Sequence, residues 1–195
     1  MTEGRRAQRK RETRAALHRA ALELARDEGV PAATVDRIAE RAGVSPRTFF
    51  NYFPTKEDAL AGVDPQLPQQ LAEALLARPS DEPLVTSLRT VILEQMRTAS
   101  REPGAWRLRA EVARDLPSIS AAALGNGAAT ARALVSAAYR RCGTDPREDT
   151  GPALATFTTL GAVRAAFWLY AERDFEGEIP DLVEAAFEQA LPPGT

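Results

Sequence analysis

Between Arg47 and Lys56 the chain sets out a guanidinium, two hydroxyls, a carboxamide, a phenol and an ammonium: Arg47, Thr48, Asn51, Tyr52, Thr55 and Lys56. Groups of this kind read nucleic acid. A guanidinium forks onto guanine O6 and N7, a carboxamide onto adenine, and a hydroxyl serves a base edge or a phosphate. Arg47 is the candidate for guanine, and Thr48 and Asn51 for a base or a phosphate. Bond-making chemistry finds no comparable set. The only histidine is His18 and the only cysteine Cys142, too few for a common zinc site. The chain has no HExxH, no cysteine–histidine or serine–histidine constellation and no glycine-rich phosphate loop. An all-α enzyme is therefore the weaker reading.

The elements that must hold these side chains are legible from the residues on either side. Val35, Ile38 and Ala39 recur at helical spacing, Thr34 precedes them as an N-cap, and Asp36 places a negative charge in the first turn. Gly43 falls where the chain must leave that helix, and it enters the left-handed region without steric cost. Ser45-Pro46 restarts a helix: the serine caps, and a proline at the first helical position sacrifices no useful donor. Val44, Phe49 and Phe53 fold back onto Ile38 and Ala39, leaving Arg47, Thr48, Phe50, Asn51 and Tyr52 toward solvent. Thr55 caps a further helix, with Glu57 and Asp58 in its first turn. The result is a helix-turn-helix over Thr34–Tyr52 whose second helix carries donors suited to a major groove.

The run Thr34 to Ala39, then Gly43-Val44-Ser45, then Thr48-Phe49-Phe50-Asn51-Tyr52-Phe53-Pro54-Thr55-Lys56-Glu57 with Leu60, resembles the DNA-binding region of the TetR family of transcriptional regulators. A helix-turn-helix pattern is common, but the Tyr-Phe-Pro-x-Lys-Glu extension into the next helix is particular. The resemblance implies that Thr34, Tyr52 and Lys56 clamp backbone phosphates. It also implies that Phe50 lies against the duplex, within reach of a thymine methyl. Where the family commonly has tyrosine, Phe50 lacks the hydroxyl. Ser45 and Pro46, which open the second helix, complete the expected interface.

Charge supports the same end of the molecule. The net charge of −2 divides into +3 over Met1–Leu60 and −5 over the rest. Arg5, Arg6, Arg9, Lys10, Arg11, Arg14 and Arg19 concentrate positive charge at the start. A basic first third on an acidic protein suggests a polyanion bound at one end. Met1 to Gln8 is expected to be a disordered arm in the free protein, settling along DNA on binding. A composition that is 44% hydrophobic and 27% charged is that of a globular protein, with no apolar run long enough to cross a bilayer. The basic start has no apolar stretch after it, so it is not a signal peptide. One cysteine fits a reducing cytoplasm.

The expected class is all-α, with a DNA-binding domain over residues 1–60 and a helical effector-binding and dimerisation domain over 61–195. The first helix should run from about Arg9 to Glu28, burying Leu17, Ala20, Ala21, Leu24 and Ala25. At Pro65 and Pro68 the helix that follows Val63 should break or restart. Helices are then expected over Gln69–Ala77, Leu84–Ser100 and Ala105–Asp115. From Ser118 to Cys142 the pair Gly125 and Gly127 should kink or divide the helix. Two more, Pro152 to about Asp174 and Pro180 to Leu191, complete the chain.

That second region resembles the family's ligand-binding and dimerisation region in helix count and hydrophobic pattern. The resemblance implies a homodimer whose last two long helices pack with their copies as a four-helix bundle. Gly161 and Ala165 permit the close backbone approach this needs. Two recognition helices about 34–36 Å apart would then read one palindrome on double-stranded DNA. Candidate effector contacts are Met96, Trp106, Arg109, Phe157 and Trp168, with Tyr170 beside them. No cofactor is expected beyond a small-molecule effector. A DNA-binding protein without an effector and without sequence preference is the remaining alternative, and strong salt dependence would mark it.

Overall fold

A computed structural model describes residues 2–99, 107 and 117–190. Among them are nine α-helices and one 3₁₀ turn, with no strand. The helices are α1 (Thr2–Glu28), α2 (Val35–Arg41), α3 (Pro46–Phe50), α4 (Lys56–Ala61), α5 (Leu67–Leu76), α6 (Leu84–Ala99), α7 (Pro117–Cys142), α8 (Gly151–Glu172) and α9 (Ile179–Ala190). The expected helix over Ala105–Asp115 lies outside the described residues, apart from Arg107. Contacts divide the chain into two units. The first runs as far as Asp64 and the second begins at Pro65, while α7 changes unit between Gly125 and Asn126.

In the first unit α1 supplies Leu17, Ala20, Ala21, Leu24 and Ala25 to a core that also holds Ile38, Ala39, Phe49, Phe53, Ala59 and Leu60. Phe49 and Phe53 are fully buried, with ring centroids 6.0 Å apart. Three short helices are stable here because each is capped and packed, since helices of five to seven residues do not persist alone. Thr34, Ser45 and Thr55 each accept a hydrogen bond from the backbone N–H three residues on. Two glycines close the helices. Gly43 and Gly62 have φ of 69° and 63°, which lets Val44 N–H donate to the Ala39 carbonyl and Val63 N–H to the Asp58 carbonyl.

One expectation fails in this unit. Residues 2–8 are not a separate arm, because α1 begins at Thr2. Arg, Gln and Lys are good helix formers, and no proline interrupts the run, so the helix nucleated on Leu17–Ala25 extends outward through them.

In the second unit Leu71, Ala72 and Leu75 of α5 pack with Leu88 and Val91 of α6 and with Leu134, Ala137 and Ala138 of α7. Pro68 stands in the first turn of α5, so the helix restarts there, one of the two outcomes expected at Pro65 and Pro68. The loop before α6 is tied by side chains: Arg78 Nη2 meets Glu82 Oε1 at 2.5 Å, and Ser87 Oγ donates to Glu82 Oε2 at 2.6 Å. Arg141, near the end of α7, donates to the carbonyls of Arg78, Pro79 and Glu82. The Arg78 guanidinium, then the Ser87 hydroxyl, hold the Glu82 carboxyl at about 2, well below the usual 4.5.

Helical bonding runs through Gly125-Asn126-Gly127, so α7 is one helix and not the two that were expected as the alternative to a kink. Each glycine costs about 1 kcal/mol in a helix interior. The alanine-rich sequence on both sides absorbs that. The α8–α9 connection is closed as α2 and α4 are, but without glycine. Asp174 and Phe175 have φ of 50° and 63°, Phe175 N–H donates to the Tyr170 carbonyl, and the two rings meet edge to face at 5.6 Å.

Candidate nucleic-acid interface

Ser45 fixes the start of α3. Its Oγ accepts from Thr48 N–H at 3.1 Å and lies 2.9 Å from Thr48 Oγ1, so both hydroxyls are engaged at the helix entrance. Pro46 fills the first helical position. At the other end the turn tightens: Asn51 and Tyr52 N–H groups donate to the Thr48 and Phe49 carbonyls, so α3 ends two residues before the expected Tyr52. Phe49 anchors the helix from within.

The opposite face is open. Ser45, Pro46, Arg47, Phe50 and Asn51 are exposed, and Thr48, Tyr52 and Lys56 are half-buried. Phe50 is 58% exposed although its ring stands edge-on to Phe49 at 5.5 Å. Thr34 is exposed at the N-cap of α2, its Oγ1 3.4 Å from Arg37 N.

The neighbouring cations are differently placed. Arg37 is paired with Glu28 at 2.6 Å, and Arg41 lies 3.7 Å from Asp27 and 3.9 Å from Glu28. A hydrogen bond from Arg26 lowers the Asp27 carboxyl, and one from Arg37 lowers that of Glu28. Those arginines balance acids at the end of α1, while Arg47 has no ion pair among the described residues. Lys56 Nζ donates to the Val30 carbonyl at 3.4 Å, which holds the ammonium beside the turn leading into Thr34.

Two residues of α1 contribute what the local pattern did not reveal. His18 Nδ1–H donates to the Ala59 carbonyl at 2.6 Å, tying α1 to α4. Arg14 was read only as one of a basic run, yet it is largely buried and contacts four other residues. The spacing Arg14-x-x-Leu17 was the one available signal: it puts the arginine one turn from the buried stripe.

The candidate effector residues that are described do not gather. Met96 is half-buried on α6, whereas Phe157 and Trp168 are 57% and 66% exposed on α8. Phe157 borders an open groove of about 990 Å³ with Ala131, Arg132, Val135, Tyr139 and Arg140 of α7. Trp106 and Arg109 lie outside the described residues. Tyr170 is buried against Phe175. No group of acidic, histidine or cysteine side chains suited to a metal occurs among the described residues.

Residues 17–63 match the family model described as bacterial regulatory proteins, tetR family, and residues 82–193 match the MftR C-terminal domain. The HTH-type transcriptional regulator TcmR of Streptomyces glaucescens is 31% identical over 190 residues, covering 93% of this chain and 82% of that protein. NalD, the secondary repressor of the MexAB-OprM multidrug efflux pump in Pseudomonas aeruginosa, superposes with a TM-score of 0.58 at 19% identity, covering 93% of this chain and 96% of that one. FadR of Thermus thermophilus, a TetR-family transcriptional repressor solved with lauroyl-CoA, gives 0.52 at 26% identity, covering 93% and 95%.

Proposed function

Because the chain belongs to the tetR family of bacterial regulatory proteins, it is a DNA-binding transcriptional regulator, and we propose that it is a ligand-released repressor binding a palindromic operator as a homodimer. The observation that carries the reading is the α3 face: exposed Arg47, Phe50 and Asn51 on a helix that Phe49 and Phe53 fix to the core. Arg47 reads a guanine, and Asn51 and Thr48 reach a base edge or phosphate. Thr34, Tyr52 and Lys56 hold the backbone, and Phe50 lies against a base step. Ser45 and Pro46 set the entry of the helix into the groove.

The dimer forms through α8 and α9. Leu154, Phe157 and Trp168 stand out from one side of α8 with Gly161 and Ala165 between them, an apolar stripe that a lone chain leaves in water. Its pattern supports self-pairing. Leu154 and Trp168 are equidistant in sequence from Gly161, as are Phe157 and Ala165. Two antiparallel copies crossing at Gly161 therefore place a large side chain opposite a small one at Phe157–Ala165, and bring the two glycines together. Phe157 and Trp168 are thereby assigned to the interface. Met96, with Trp106 and Arg109, remains the proposed effector contact. The lauroyl-CoA bound by the FadR relative makes long-chain acyl thioesters the first effector class to screen.

Release follows if the effector favours a dimer whose recognition helices are wrongly separated, since a ligand shifts an equilibrium only by its differential affinity for the two states. No helix among the described residues is long and apolar enough to cross a membrane, and the proposed site of action is the cytoplasm. Selection from a random duplex library tests the whole reading. A palindromic consensus of fixed half-site spacing is expected. Binding without preference, falling steeply with salt, would replace it with a non-specific DNA-binding role, and absence of duplex binding would remove it.

A further inference from the structure

Arg14 lies in the first unit, 13% exposed, and joins three segments distant in sequence. Its guanidinium carbon is 4.9 Å from the Phe53 ring centroid and 5.8 Å from that of Tyr52, immediately after the recognition helix. Its Nη1 donates to the Val63 carbonyl at 3.0 Å, and its Nε lies 3.8 Å from Asp64 Oδ1. Val63 and Asp64 end the first stretch of the unit, where the chain leaves it for Pro65. Three demands thus meet on one planar cation. Its edge is used by a carbonyl and a carboxylate, and its neighbourhood by two rings, an arrangement that a lysine cannot reproduce with one point charge.

We propose that Arg14 is a positioning residue that transmits the location of the exit segment Val63–Asp64 to Tyr52, and so decides whether the Tyr52 hydroxyl is held for its phosphate. The reasoning is geometric. Phe53 is fully buried and Tyr52 only half-buried, so of the two rings Tyr52 is the one free to change its tilt. Val63 N–H already closes α4 through the Asp58 carbonyl, leaving the Val63 carbonyl and the Asp64 carboxylate as the groups by which this segment pulls on α1. A shift of the exit segment moves the guanidinium, and the ring beside it follows. Sequence readout through Arg47 is untouched by this path. Arg14 therefore governs how tightly the duplex is held, not which duplex is chosen.

The inference rests on the DNA-binding reading and on the phosphate role of Tyr52. It is tested with the full-length protein and the duplex it selects from a random library, in a double-mutant cycle. Arg14→Gln, Tyr52→Phe and the double variant are compared by fluorescence anisotropy, with thermal unfolding in parallel. Arg14→Gln should weaken binding about tenfold. In the Tyr52→Phe background that loss should fall to about twofold, while the drop in melting temperature is equal in both backgrounds. Arg14→Lys, which keeps the charge and is expected to fold, should show a smaller loss that likewise shrinks without the Tyr52 hydroxyl. Equal losses in the two backgrounds, or no loss, would overturn the role of Arg14 and leave the regulator reading standing. If the unsubstituted protein binds no duplex, that reading fails first and this one with it.

Discussion

At the scale of single residues, the division of labour between α3 and the start of α4 gives opposite expectations for two cations. Arg47 is exposed, outside the pairs that occupy Arg37 and Arg41. Arg47→Ala should relax preference at one base position in each half-site and cost about 1–3 kcal/mol per contact. A repeated library selection reads this as a lost consensus position; an unchanged consensus would contradict it. Lys56 is held against the Val30 carbonyl, away from base edges, so Lys56→Ala should weaken all duplexes alike and reduce the slope of affinity against salt. Loss confined to the selected duplex would argue for a base contact. The caps Thr34, Ser45 and Thr55 were legible because a cap bonds three residues away, within the span of a sequence pattern. Arg14 was not, because its partners lie about forty to fifty positions on, and its place one turn from Leu17 is the only local sign that sets it apart from Arg11.

At the scale of elements, three helices end with the same pair of backbone bonds, and one of them does so at a disadvantage. Gly43 and Gly62 occupy the left-handed position after α2 and α4; after α8 it is Asp174. A side chain there is strained by about 1 kcal/mol, less for Asp than for most residues. Asp174 is exposed, so Asp174→Gly should raise stability by up to about 1 kcal/mol, measured by urea unfolding. A decrease would mean the carboxylate has a role that its geometry does not reveal. Gly161 gives the reverse case. A Cβ added there meets nothing within 4 Å, so Gly161→Leu leaves the isolated fold intact. Two leucines at the proposed crossing would force the α8 axes apart, and sedimentation should show a shift to monomer with unimpaired thermal stability of the chain. A retained dimer would exclude the register centred on Gly161. Helix positions were largely readable from apolar spacing, as with Leu84, Leu88, Val91 and Ile92 of α6. Boundaries were less so. Gly125 and Gly127 weaken a helix by propensity alone, and the long run around them outweighed it. Which apolar positions of α8 face outward was not legible, since helical spacing alone does not separate the buried side from the exposed one.

At the scale of the whole molecule, acid should find a defined weak point. Glu82 gathers Arg78 and Ser87, and Arg141 ties down the same loop. Because the Glu82 carboxyl is held at about 2, against 4.5 when free, its contribution is complete above about pH 4.5 and is lost as pH falls toward 2. Glu82→Gln should flatten the fall in stability across that interval, leaving the smaller slope from Asp27 and Glu28, whose carboxyls are lowered in the same direction. Urea midpoints compared from about pH 5 to about pH 2 measure it, and parallel profiles would show that the pairing is not retained in solution.

Pairing through the apolar side of α8, as proposed, would also set how the regulator responds to its own abundance. If only paired chains present two recognition helices, the species competent for an operator grows as the square of total chain while pairing is weak, and linearly once pairing is complete. A promoter under such control ignores a trickle of newly made protein and closes over a narrow range of expression. The position of that threshold would be written in Leu154, Phe157, Gly161 and Trp168, none of which touches DNA.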